Sequence, residues 1–402
     1  MTSPAMNEGL RPTPSLRDRT KVLLFTNSIT VGGMEEHVEL LARHLDRRTF
    51  EVYAMCPDWE GLEPFQASLK SAADHFAFAT PDRRHGSARL LTETVAMARQ
   101  IRAWGIDVVH MHSTTYRGQY YALLAARAAG VPRVFVTEHL APDQKLPRRE
   151  RLTRDVLTRS VTGIVCVSHK NYVARAQHLY TPPERTTVVN NGVDLDDFPE
   201  ISAEQLSALR QRYGIPADAQ IVGTAVRFEP EKGLSYLVDA MPKIKAECPK
   251  AHFLMVGDGS LRGELEAHVA RLGLSSHVTW AGFQTDPRAY VRVMDAFVLP
   301  VPVGSMSIGL LEAMAMRRAV VITFGGVGEA VIDGESGLTP EPRNPAMLAD
   351  SVIRILKDEA FRTKLGEGAY QRVANEFSAQ NVARALGELY LSGKPSRPVQ
   401  PS

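Results

Sequence analysis

Short apolar runs alternate with helix-patterned stretches from one end of this chain to the other. A strand buried on both faces reads as a continuous apolar run, and joining two parallel strands needs a long crossover, so this rhythm specifies parallel sheets with crossover helices. Strands are expected near Lys21–Asn27, Glu51–Met55, Val108–Met111, Arg133–Thr137, Gly163–Val167 and Thr187–Val189. A second set follows near Ile221–Val226, His252–Val256, His277–Ala281, Ala296–Leu299 and Ala319–Thr323. Pro199 and the helical stretch Ser202–Tyr213 separate the two sets, which places a linker at residues 193–218.

The chain has 402 residues, too many for one ordinary core and enough for two, so the expected fold class is α/β with two Rossmann-like parallel-sheet domains. Their expected spans are 21–197 and 198–376, followed by a helix over 377–391 that crosses back to the first domain, with solvated tails at 1–20 and 392–402. A formal net charge of +2, with 44% apolar and 23% charged residues, describes an ordinary soluble protein and gives no reason to expect a nucleic-acid partner. Cys56, Cys166 and Cys248 lie far apart without metal-ligand spacing, which excludes a disulfide framework and fits a reducing cytoplasm. Residues 1–20 lack the apolar core of a signal peptide, and no apolar run is long enough to span a bilayer.

The groups that follow each strand carry the functional signal. Gly32-Gly33, His112, Glu138-His139, Ser168, Asn191-Gly192, Arg227, Gly257-Asp258-Gly259, Gly304-Ser305 and Gly325-Gly326 all fall just past a strand's carboxyl end. In open α/β sheets that edge is where ligands bind, because helix N-termini and loop amides converge there. Arg227 and Lys232 share one loop, and fixed cations there suit a diphosphate whose charge grows as the bond to it breaks. Glu312 opens a helical stretch and could accept hydrogen bonds from ribose hydroxyls; an acidic residue in a helix's first turn is also favoured by the macrodipole alone. Gly257-Asp258-Gly259 reads as a nucleotide-facing turn and not as a P-loop, since no Gly-Lys-Ser/Thr follows. His110 and His112 are expected to point to opposite faces of their strand, with His112, nearer its end, facing the cleft. Together these residues suit a sugar nucleotide held without a metal or cofactor.

In this order the motifs resemble family 4 of the retaining glycosyltransferases, with the GT-B fold. The resemblance runs over about residues 21–391 and rests on Gly32-Gly33-Met34-Glu35-Glu36-His37, Asp107 to His112, Thr137-Glu138-His139, Asn191-Gly192-Val193-Asp194, Arg227 to Gly233, Gly257-Asp258-Gly259, Ala281-Gly282-Phe283 and Leu311-Glu312-Ala313-Met314-Ala315. It implies an acceptor-side first domain and a donor-binding second domain facing each other across a cleft. It further implies that Arg227 and Lys232 hold the donor diphosphate, that Glu312 binds the ribose, that His112 lies beside the transferred sugar, and that Gly32 and Gly33 lie near phosphate and acceptor. Glu138 and His139 fall on the acceptor side. The donor would be a UDP or GDP sugar and the acceptor a hydroxyl of a saccharide, a lipid-linked or a small molecule, with retained anomeric configuration, in polysaccharide, glycolipid or other glycoconjugate synthesis.

One departure stands out. The first Glu of the family's E-x7-E motif would fall at position 304, where this chain has Gly304, so recognition of the donor sugar passes to backbone amides or to Ser305 and Ser307. That keeps open a non-catalytic sugar-nucleotide-binding subunit, and a same-fold epimerase or phosphorylase. Arg317 and Arg318 stand where the family has Gly-x-Pro, and either extend the cationic site or end a helix in solvent. The basic stretch 148–159 has an apolar side at Leu152, Val156 and Leu157. It either rests peripherally on an anionic membrane or packs Leu152 and Val156 on the sheet with its arginines in water.

Overall fold

The computed structural model describes residues 19–79, 87–113, 120–140, 147–198, 200–302, 307–323 and 329–394. Gly304, Ser305, Gly325 and Gly326 therefore lie outside the described residues. The first lobe is a seven-stranded sheet of β1 (Thr20–Thr26), β2 (Phe50–Cys56), β3 (His75–Phe78), β4 (Val108–Ser113), β5 (Arg133–Glu138), β6 (Gly163–Cys166) and β7 (Thr186–Val188), in the order β3-β2-β1-β4-β5-β6-β7. The second is a five-stranded sheet of β8 (Gln220–Ala225), β9 (Ala251–Val256), β10 (Val278–Gly282), β11 (Ala296–Leu299) and β12 (Ala319–Ile322), in the order β10-β9-β8-β11-β12. Every ladder is parallel. Strand order reverses between β1 and β4 in one sheet and between β8 and β11 in the other, and crevices open at such switch points.

The crossovers of the first lobe are α1 (Gly33–His44), α2 (Glu63–Ala72), α3 (Ser87–Trp104), α4 (Tyr120–Ala129), α5 (Arg148–Arg159) and α6 (His169–His178). In the second are α7 (Ala203–Arg212), α8 (Leu234–Glu247), α9 (Arg262–Arg271), α10 (Arg288–Arg292), α11 (Ile308–Ala315), α12 (Pro345–Lys357) and α13 (Glu359–Glu376), and α14 (Ala379–Ser392) closes the chain. The strands β1, β4, β8 and β11 run through cores on both sheet faces, which is why they read as unbroken apolar runs. β3 was not legible: it is a short edge strand without a fully buried residue. The helix placed in the linker is α7, started by a capping box between Ser202 and Gln205, and its Leu206 and Leu209 pack on the second lobe's core.

Two chain segments cross between the lobes, and they hold each other. The Val193 amide donates to the Phe377 carbonyl and the Ala379 amide to the Val193 carbonyl, both at 2.9 Å. α14 then carries Ala379, Val382, Ala383, Leu386, Leu389 and Tyr390, a stripe of helical period, into the first lobe's core beside Val22, Val38 and Phe50. A helix that follows the second lobe thus completes the first.

Candidate active site

The cationic loop is built by the turn from β8 into α8. Phe228 is its anchor: fully buried, its amide donates to the Asp258 carbonyl at 2.8 Å and its carbonyl accepts from the Leu261 amide at 3.0 Å. The loop of Gly257-Asp258-Gly259 is thereby stitched to the loop of Arg227 and Lys232. Gly257 has φ 127°, and a Cβ there would lie 1.9 Å from the Val226 carbonyl oxygen, so only glycine permits this approach. The Asp258 carboxylate turns back on its own loop, accepting from the Gly259 amide at 2.8 Å. Arg227 is exposed and 3.6 Å from Glu231, whereas Lys232 is half-buried at the end of a single 3-10 turn. Burial first and Arg227 second lower the Lys232 pKa, the state of a cation short of an anion.

Glu312 lies on α11, whose N-cap is Ser307, and the helix begins at Ile308. It therefore occupies the second turn, so the macrodipole argument for an acid in the first turn does not apply. Burial, and then the facing carboxylate of Glu36, push Glu312 up to about 7 against the opposing pull of Arg288. Glu36 comes from α1 of the other lobe, and both carboxylates line an interlobe cavity of about 260 Å³ with Asp194, Asp286 and Arg288. Gly32 and Gly33 open α1 at the same seam, where a Cβ on Gly33 would stand 2.9 Å from Ile308 Cδ1. Sequence reasoning missed Glu36 and Arg288; the signal for Glu36 was its helical spacing with Leu40 and Arg43 on one face of α1, whereas Arg288 arrives from α10 of the other lobe.

His110 and His112 share one face of β4, with ring centroids 4.1 Å apart, contrary to the expectation of opposite faces. Side chains alternate with a period of two, so residues two apart must point the same way. Both are buried, and with them His37 and His139: the His112 ring is 5.5 Å from that of His37 and 5.6 Å from that of His139. His112 Nδ1 lies 3.3 Å from His139 Nε2, while His112 Nε2 and both ring nitrogens of His37 have no hydrogen-bond partner among the described residues. Burial lowers the pKa of all four, that of His37 to about 4. The four imidazoles form one buried neutral cluster, in which His110 has both ring nitrogens paired while His112 and His37 keep ring nitrogens, each a donor or an acceptor, that could meet a hydroxyl group. His37 had no role in the sequence reading; its signal was its place one α1 turn from Gly33 on the inward face.

Glu138 corrects an expectation. It does not face an acceptor: it is buried between Arg154 of α5 and Arg175 of α6, paired with both. Arg317 and Arg318 do not extend the cationic site either. Arg317 ends α11 with φ 56° and reaches Glu367, and Arg318 is half-buried, donating to the carbonyls of Met316, Arg292 and Met294. On α5 the packing is the reverse of the sheet-facing reading, because Arg154 is buried while Leu152 and Val156 are 52% and 61% exposed. No helix among the described residues is long and apolar enough to cross a membrane.

The family model for Glycosyltransferase Family 4 matches residues 31–197, and that for Glycosyl transferases group 1 matches residues 219–358. Glycogen synthase of Mycobacterium tuberculosis is 28% identical over 91% of this chain and 92% of its own. A GDP-mannose-dependent alpha-(1-6)-phosphatidylinositol monomannoside mannosyltransferase of the same organism is 27% identical over 92% of this chain and 97% of its own. The crystal structure of Anabaena HepE in complex with UDP superposes with a TM-score of 0.78 at 22% identity, covering 93% of this chain and all of that one, and shares the fold. One model covers each lobe, and the chain belongs to glycosyltransferase family 4, as a glycosyltransferase of GT-B fold.

Proposed function

We propose that this glycosyltransferase moves a hexose from a UDP or GDP sugar to a hydroxyl acceptor, with retention of anomeric configuration and without a metal or cofactor. The observation that carries the reading is the pair Arg227 and Lys232 on the β8–α8 turn, two fixed cations at the sheet's carboxyl edge within the lobe that also presents Glu312. They supply to a departing diphosphate the positive charge that a metal would otherwise provide. Glu312 and Ser307 would meet the donor from α11, Gly257 to Gly259 from the β9 turn, and from the first lobe His112 would meet the transferred sugar and His139 the acceptor. Nucleotide chemistry of this kind accords with the UDP and UDP-glucose complexes of Anabaena HepE and with the GDP-mannose of the mycobacterial relative. Retention is proposed on the family resemblance, and glycoconjugate synthesis on the relatives.

Thermal melts and turnover with UDP-glucose and GDP-mannose, against UDP and GDP, test it. One pair should raise the melting temperature, and its sugar should be transferred or slowly hydrolysed. Binding without either reaction would favour a non-catalytic subunit, the reading that Gly304 keeps open; no binding would end the proposal. Glu312→Gln gives a second check. With a folded pKa near 7 and an ordinary value of 4.5, the carboxyl stabilises the fold most when protonated, and that contribution is lost as pH rises through 4.5 to 7. The variant lacks this penalty, so it should melt above wild type at pH 8 and alike at pH 4, and should bind donor about tenfold more weakly at pH 8 for want of an anionic acceptor.

A peripheral contact with the inner face of the cell membrane is proposed for α5. The exposed Leu152 and Val156 line an apolar groove with Tyr120, Tyr121 and Leu124, beside the exposed Arg148, Arg149 and Arg151. The protein should sediment with vesicles containing anionic phosphatidylglycerol and not with neutral ones, and Leu152→Ser with Val156→Ser should release it. Absence from the anionic pellet at low salt would end this contact.

A further inference from the structure

Tyr390 lies near the carboxyl end of α14, fully buried, its ring 5.6 Å from that of Phe135 and 6.2 Å from that of Phe50. A phenylalanine would fill the same space, so the hydroxyl calls for its own explanation. It stands 2.5 Å from Nδ1 of His110, and Nε2 of that ring stands 2.7 Å from Thr137 Oγ1. Both nitrogens of His110 are thereby committed. A phenol is a stronger donor than an aliphatic alcohol, so Tyr390 donates to Nδ1 and the Nε2 hydrogen goes to Thr137, which selects one tautomer and one ring orientation. The His112 ring packs on that fixed ring at 4.1 Å and meets His139 on its other side.

The helix that delivers Tyr390 is held at both ends. Its first residue, Ala379, pairs with Val193 at the interlobe crossing. At the other end Arg133 donates to the carbonyls of Tyr390, at 2.6 Å, and Leu391, at 3.1 Å. The geometry points to Tyr390 as a positioning residue: through His110 it fixes the His112 imidazole, so that docking of α14 on the first lobe sets the competence of the site. This rests on the reading that His112 lies beside the transferred sugar.

The test uses the full chain with Tyr390→Phe. Turnover number should fall about tenfold with the sugar nucleotide that wild type uses, while the affinity for it stays within about twofold, because the displaced group acts through orientation. In histidine-labelled protein, two-bond proton–nitrogen correlation spectra should show His110 pass from a single tautomer to a mixture. Thr137→Val removes the partner on the opposite nitrogen, and its loss of turnover should not add to that of Tyr390→Phe, since both act through one ring. A Tyr390→Phe protein that keeps both wild-type turnover and a single His110 tautomer, with only a lower melting temperature, would reduce Tyr390 to core packing. If wild type transfers no sugar, the proposed function falls, and the tautomer spectra alone then decide whether Tyr390 fixes His110.

Discussion

Lys232→Ala is expected to lower the turnover number by about 10²- to 10³-fold, on the scale of removing one preorganised electrostatic donor, while the protein folds as before. Lys232 sits where the turn from β8 ends and α8 begins, half-buried, with its pKa lowered by burial and by Arg227. Two cations held close cost the free protein something, and an incoming diphosphate relieves that cost. The relief grows as charge moves onto the leaving group, so the loss should appear in the turnover number more than in donor affinity. Lys232→Arg should not restore full activity, because a planar fork cannot occupy the place of a compact ammonium. The measurement is steady-state kinetics at saturating donor beside a thermal melt, and wild-type turnover in Lys232→Ala would remove the diphosphate from this loop.

The parts of the fold legible in the sequence are those buried on two faces. β1, β4, β8 and β11 announce themselves as apolar runs, whereas β3, His75 to Phe78, is a partly exposed edge that no apolar run marks. The site divides in the same manner. Arg227, Lys232, Gly257 and Glu312 belong to local motifs at strand ends, and spacing along the chain suffices to find them. Glu36 and Arg288 join the seam from helix faces, and Tyr390 enters the first lobe's core from far along the chain, 280 residues from the histidine that it touches. Only folding brings such pairs together. The shared face of His110 and His112, by contrast, was fixed by strand periodicity, and the expectation of opposite faces applied to residues two apart the alternation that holds for adjacent ones.

Glu138 shows how a polar group at a strand's carboxyl edge can belong to the scaffold. It ends β5, next to His139, and its position gives no sign of the two arginines that arrive from α5 and α6. Burial works against its ionisation, but Arg175 and then Arg154 outweigh burial and hold the carboxyl below the ordinary range. Arg154 and Arg175 are 2% and 1% exposed, so Glu138→Ala leaves two guanidinium groups buried without their counter-charge. Such a loss costs about 3–5 kcal/mol, and urea unfolding monitored in both lobes should show it in the first. The stability that the triad gives is present above the ordinary carboxyl value of 4.5 and is lost as pH falls through the lower folded value, so the gap between wild type and variant should narrow in acid. Replacing the whole triad, with Arg154→Met, Arg175→Met and Glu138→Leu, should recover most of the loss, because an apolar cluster of similar volume needs no counter-charge. An acceptor-binding carboxylate would behave in the opposite way: Glu138→Ala would melt like wild type, and the change would fall on the Michaelis constant for the acceptor.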